Sequence, residues 1–334
     1  MTTLRPNSSQ VRRDSGGPKR PPTSSPNPYV FVVGCNRSGT TLLQRMLDSH
    51  PDLAVVHEAS FIPSAHRALR EPGSGGSSAE AADWLLGYRK FHVLGLSEAT
   101  VSEVADRTAT FVEFVSELFT EVGRSKGKPF VGEKCPGYVM HLSLLGELFP
   151  WTRFVHVVRD GRDVALSALE WEGHGPSMRY ALWEDEPVAV CALWWRRRVS
   201  AGRAAGRMLG PGRFREVRYE ALVQRPEEAV RDLAGFLELP FDQRMLRFHE
   251  GRTRADPGLS AKAAWLPPTP GLRDWRSQMA GRDVELFEAL AGRLLSDMGY
   301  ERASPDISSA IASLAQRYRR RFEAERPRRR IRKG

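Results

Sequence analysis

Nowhere in the 334 residues is there a run of about 18 apolar positions, which argues against a transmembrane helix. Cysteine is scarce. Cys35, Cys135 and Cys191 are an odd set without the paired spacing of a zinc site, so no disulfide framework is expected, and a reduced, cytoplasmic protein is. The opening MTTLRPNSSQVRRDSGGPKRPPTSSPNP lacks the apolar stretch of a secretion signal. Rich in Pro, Ser and Arg, residues 1–27 read as a disordered leader. No internal repeat is present, and no linker splits the chain beyond that leader.

What is there can fold. With 41% apolar residues the chain can bury a sizeable core. A formal charge of +10 points to anionic partners: nucleic acid, a membrane surface, or small molecules that carry phosphate or sulfate. Much of that excess sits at the end, in RYRRRFEAERPRRRIRKG, so the folded part is nearer neutral. The tail reads as a solvated terminus with at most a weak membrane-surface contact, and no specific nucleic-acid partner is expected.

The pattern along the chain alternates between strand and helix. YVFVV at 29–33 is a short continuous apolar run, as in a parallel strand buried on both faces. Leu42, Leu43, Met46 and Leu47 then recur at helical spacing. Further strands are expected at LAVV (53–56), PFVGEK, RFVHVVR (153–159) and near 213–219. Helices are expected over 98–122, near 137–148, after Arg159, around 187–209 and near 226–238, with EPGSGGSSAE (71–80) a mobile surface loop. This predicts a single α/β domain over 28–302, a mostly parallel sheet flanked by helices, followed by a C-terminal helix and basic tail over 303–334.

The first strand runs into GCNRSGTT, where Gly34 and Gly39 have the spacing of a P-loop. The position after Gly39, which carries lysine in nucleotide triphosphatases, is Thr40. Backbone N–H groups over 36–41 and the following helix N-terminus would face an anion, with Arg37 a forked cation and Thr40 and Thr41 hydroxyl donors. Without the lysine, and without a strand ending in a magnesium-holding carboxylate, the loop points to a nucleotide whose reactive group is less charged than a γ-phosphate and needs no metal. A second strand, loop and helix, FVHVVRDGRDVALSAL, offers Arg159 at the strand end and Ser167 eight residues later. Two anion-binding corners on one sheet imply a ligand phosphorylated at two separate places.

NRSGTTLLQRMLDSHPD resembles the 5′-phosphosulfate loop, and FVHVVRDGRDVALSAL the 3′-phosphate motif, of the sulfotransferases that use 3′-phosphoadenosine 5′-phosphosulfate (PAPS). The loop is most similar to those of tyrosylprotein-sulfotransferase-like and bacterial carbohydrate or natural-product enzymes, which read R-S-G-T-T rather than K-x-G-T-T-W. The resemblance covers most of 29–302, including VRYEALVQRPEEAVRDLAGFLELPF and GLRDWRSQM. It implies a P-loop-like fold, PAPS as co-substrate with adenosine 3′,5′-bisphosphate as product, and no metal. Arg37, Ser38, Gly39, Thr40 and Thr41 would hold the 5′ phosphosulfate, and Arg159 and Ser167 the 3′ phosphate. Tyr219 and Ser260 would touch the nucleotide.

For the chemistry, the register of HPDLAVVHEASFIP with tyrosylprotein-type enzymes implies Glu58 as the catalytic base. Its neighbour His57 is the alternative, since histidine serves in many cytosolic relatives and its pKa suits the role. If the strand continues through both, only one faces the site. Lys134, in VGEKCPGY, matches the lysine that neutralises the bridging oxygen. Tyrosylprotein-type relatives carry a lysine before the tryptophan of GLRDW, where this chain has Asp274, leaving Arg273 or Arg276 to close the 3′-phosphate site. The tryptophans at 171, 183, 194, 195, 265 and 275 read mostly as core or pocket wall. Acceptor contacts are expected from 60–97 and 170–187, for a saccharide, glycolipid, secondary metabolite or other hydroxyl or phenol. Two other readings stand beside this one: a P-loop kinase with a degenerate loop, and an anion-binding module driven by the basic tail.

Overall fold

Val30, Phe31, Val32, Val33 and Gly34 are all buried because they form the middle strand of a sheet covered on both faces. In the computed structural model, which describes residues 26–70, 76–170, 180–250 and 266–325, this strand is β1 (Val30–Gly34). The others are β2 (Leu53–His57), β3 (Phe130–Lys134), β4 (Arg153–Val158) and β5 (Phe214–Arg218), in the order β2-β3-β1-β4-β5. Every neighbouring pair is parallel; Phe31, for example, lies opposite Phe154 of β4 and Glu133 of β3.

Strand residues face alternate sides, and the two cores follow that period. Phe31, Val33, Val56, Val131 and Phe154 pack with Phe114, Leu118 and Phe119 of the Phe111–Lys126 helix. Val30, Val32, Val55, Val155 and Val157 face the other way, onto Leu43, Met46 and Leu47 of α1 (Thr40–Asp48) and Val230 and Leu233 of the Pro226–Phe236 helix. Each such side chain removed from water contributes about 1.5–3 kcal/mol. A third core joins the helices Pro187–Leu209, Gly281–Asp297 and Ser309–Ala324 around Trp195, Phe287 and Phe322. Arg162, buried, ties this layer to the sheet through Asp160 (2.7 Å), Glu288 (2.6 Å) and the Glu301 carbonyl (2.7 Å).

Several boundaries differ from the sequence reading for local reasons. The helix expected over 98–122 is two, Glu98–Asp106 and Phe111–Lys126, because Thr110 starts a new one by a reciprocal capping box with Glu113. The one near 137–148 opens as a 3₁₀ turn, Pro136–His141, before Leu142–Leu148. The loop expected over 71–80 ends early, since Ser77 and Glu80 cap the Ser78–Leu86 helix; residues 71–75 lie outside the described residues. Asn27 is already buried, accepting from the Val131 amide (2.8 Å). The expected membrane-surface contact falls largely on 326–334, outside the described residues.

Candidate active site

A parallel sheet gathers all its strand ends at one edge, and the chain leaves β1 toward β3 and β2 before returning to β4 and β5 on the other side. The crevice at that reversal is where such sheets bind ligands. Each strand delivers a singled-out residue to this edge: the Cys35–Gly39 loop after β1, Glu58 after β2, Lys134 at the end of β3, Arg159 after β4 and Tyr219 after β5.

The loop after β1 is built to leave its donors open. Gly39 takes φ 91° and opens α1 with no side-chain cap, so the first amides of the helix are not closed off by the protein. Ser38 is fully buried, and its hydroxyl meets no hydrogen-bond partner among the described residues. Arg37 adopts φ 72° and donates from Nε to Ser167 Oγ (3.0 Å), so the two motifs meet across 130 residues of chain. Thr40 is buried and Thr41 half-buried beside them.

Arg159 lies over the Tyr219 ring (4.2 Å), 3.5 Å from Asp163, and its Nε has no partner among the described residues. Burial lowers the basicity of Arg37, and the charges of Arg273 and Arg159 add to that effect. Burial likewise pushes the Asp163 carboxyl up to about 6, although Arg159 opposes it. Three guanidinium groups thus converge on one corner, where Asp163 and Glu170 face two of them.

The late loop places the two arginines left open differently. Arg273 turns inward, held by Glu170 (2.7 Å), whereas Arg276 pairs with Glu301 (3.0 Å) at the surface. Asp274 is an N-cap, accepting from the Arg276 amide (3.1 Å) at the start of the Trp275–Gln278 turn. Ser260, Trp171 and Trp265 fall outside the described residues. Trp195 and Trp275 are buried.

At the ends of β2 and β3, Lys134 is fully buried and donates to Glu58 Oε1 (2.7 Å). The expected alternation of His57 and Glu58 does not hold, because the strand stops at His57 and Glu58 turns left-handed at φ 54°. That turn is pinned by the Lys134 carbonyl accepting from the Glu58 amide (2.9 Å), and by Lys90 Nζ donating to the Glu58 carbonyl (2.7 Å). His57 Nδ1 donates to Gln44 Oε1 (3.0 Å). Lys90 and Gln44 carry no signal in the sequence, since each acts through a contact made only by folding.

The fold and this edge define an α/β protein that binds a doubly anionic nucleotide between its glycine loop and an arginine cluster. Residues 28–243 match the sulfotransferase family, and the chain belongs to it. It is 30% identical to human protein-tyrosine sulfotransferase 1 over 224 residues, 67% of this chain and 54% of that protein. Against the Drosophila melanogaster protein-tyrosine sulfotransferase it is 29% identical over 67% of this chain and 40% of the relative. The chain therefore spans only about half the length of these curated relatives. In fold it is similar to the sulfotransferase domain of a Synechococcus olefin synthase, with a TM-score of 0.53 at 23% identity, covering 91% of this chain and 97% of that one.

Proposed function

We propose that the chain transfers the sulfuryl group of PAPS to a hydroxyl or phenol of a saccharide, glycolipid or secondary metabolite. The observation that carries this reading is the convergence of Arg37, Arg159 and Arg273 beside a glycine loop that has no lysine, one strand away from the Lys134–Glu58 pair. The loop from Arg37 to Thr41 receives the 5′ phosphosulfate. Arg159, Ser167 and Arg273 receive the 3′ phosphate, with Tyr219 covering Gly39. Glu58 accepts the proton of the acceptor hydroxyl as its oxygen forms the new bond to sulfur. The bond from sulfur to the bridging oxygen breaks, and Lys134 neutralises the electron pair left on the 5′ phosphate. Acceptor and PAPS become sulfated acceptor, adenosine 3′,5′-bisphosphate and one proton. The proposal includes a reducing, cytoplasmic setting, supported by three buried free thiols.

Adenosine 3′,5′-bisphosphate is expected to bind at micromolar concentration or tighter and to raise the melting temperature without added metal. Stabilisation by ATP with magnesium, and none by the bisphosphate, would favour the kinase reading instead.

A further inference from the structure

A cavity of about 320 Å³ opens beside the transfer site, walled by Asn36, Glu58, Ser60, Cys135, His141 and Arg198. Its size suits a small ligand or the reacting end of a larger one. Arg198 reaches it from the Pro187–Leu209 helix and is only 9% exposed. The guanidinium lies over the Trp194 ring (4.0 Å), while its Nε and Nη1 meet no hydrogen-bond partner among the described residues. The groups that act on its charge are the thiols of Cys35 and Cys135, the Tyr180 phenol and Arg197, and burial holds both thiols protonated, at about 12. Arg162, equally buried, shows the contrast: it holds two carboxylates and a carbonyl.

An arginine does not shed its proton, so a buried one without a counter-charge is costly unless a ligand supplies it. Glu58 shares the cavity but is engaged by Lys134. His141, on the same wall, is kept neutral by burial and by the charges of Arg67 and Arg198. Asn36 lines the same cavity, and its Oδ1 has no partner among the described residues.

We propose that Arg198 receives an oxyanion of the acceptor, so that the substrate is a hydroxyl compound bearing a carboxylate, phosphate or sulfate a short span from the hydroxyl offered to Glu58. This rests on the sulfotransferase reading above and narrows its acceptor class. Charge-assisted contacts from the guanidinium hold the anion and fix the hydroxyl's distance from the base.

The test titrates 4-hydroxybenzoate, 4-hydroxyphenylacetate and 3-(4-hydroxyphenyl)propionate, each against its methyl ester, into protein saturated with adenosine 3′,5′-bisphosphate. A parallel arm uses 4-hydroxyphenyl phosphate, to tell a carboxylate site from a phosphate site. At one spacing or more, the free acid or the phosphate is expected to bind at least tenfold tighter than the neutral ester. Arg198→Met is expected to erase that preference while Arg198→Lys keeps part of it, with bisphosphate affinity changed less than threefold in both. Anion and ester binding alike at every spacing would overturn the proposal, as would a preference that survives Arg198→Met. So would a bisphosphate affinity that collapses with Arg198→Met, which would assign the residue to the donor. Failure of the bisphosphate to bind wild-type protein would instead sink the functional reading, and the same titrations into unliganded protein still read Arg198.

Discussion

Glu58 and His57 are adjacent in the chain, and their partners separate them. Burial pushes the Glu58 carboxyl up, but the charge and hydrogen bond of Lys134, with smaller help from Lys90, hold it below the usual carboxylate range. It is ionised at neutral pH and able to accept a proton. Burial, then Lys134, takes His57 down to about 4, so it is neutral and bound to Gln44. Glu58→Gln is expected to lower turnover by about 10²–10⁴-fold with bisphosphate binding retained, and His57→Asn to do much less. The opposite pattern in steady-state rates would make the histidine the base. In the proposed reaction Arg159 would meet the 3′ phosphate, whose charge stays constant. Arg159→Ala should therefore weaken donor binding by about 1.5–3 kcal/mol and leave the rate at saturating donor nearly intact. A loss confined to that rate, seen by titrating donor, would contradict the 3′-phosphate role.

Among the elements, the turn from β1 into α1 depends on one glycine. A Cβ at Gly39 would stand 2.3 Å from Tyr219 Cδ2, and the residue's φ of 91° lies where other residues are strained. Gly39→Ala should push Tyr219 off its place over Arg159, costing about 1–3 kcal/mol of stability and weakening donor binding. Urea unfolding and bisphosphate titration read the two effects separately. If both were unchanged, Tyr219 would not be packed on the loop as described. The spacing of Gly34 and Gly39 made this turn legible in the sequence. The stacking of a tyrosine 180 residues downstream did not show, because it needs β5 beside β4.

For the whole molecule, Glu133 in the middle of the sheet sets a pH dependence. It is fully buried, accepts from the Ser60 amide (2.6 Å), and burial pushes its carboxyl up to about 7. The folded pKa is above the unfolded one, so the folded state binds the extra proton. Its contribution is complete below about 4.5 and is lost as pH rises through about 7. The loss is on the order of 3 kcal/mol. Glu133→Gln, which keeps the acceptor oxygen and cannot ionise, should be near neutral at pH 4.5 and stabilising at pH 8. Equal effects at both, by denaturant unfolding, would place the Glu133 pKa at its ordinary value.

Both strand–loop–helix corners could be read directly because each is contiguous in the chain: Tyr29 to Thr41, and Phe154 to Ser167. Local chemistry marks them, through apolar runs, glycine spacing and a following helical period. The alternation of strands and helices likewise announced a parallel sheet. Which strand lies beside which carried no such mark, since parallel neighbours are joined by long crossovers and pair through backbone groups common to every residue. The order β2-β3-β1-β4-β5 brings Glu58 to Lys134, 76 residues apart, and Arg37 to Ser167. It also turned Glu58 out of its strand, set Arg273 on Glu170 and Arg276 on Glu301, and left Arg198 lining a cavity with no carboxylate partner among the described residues. Those outcomes depend on desolvation and on contacts between distant segments, which exist only once the chain has closed on itself.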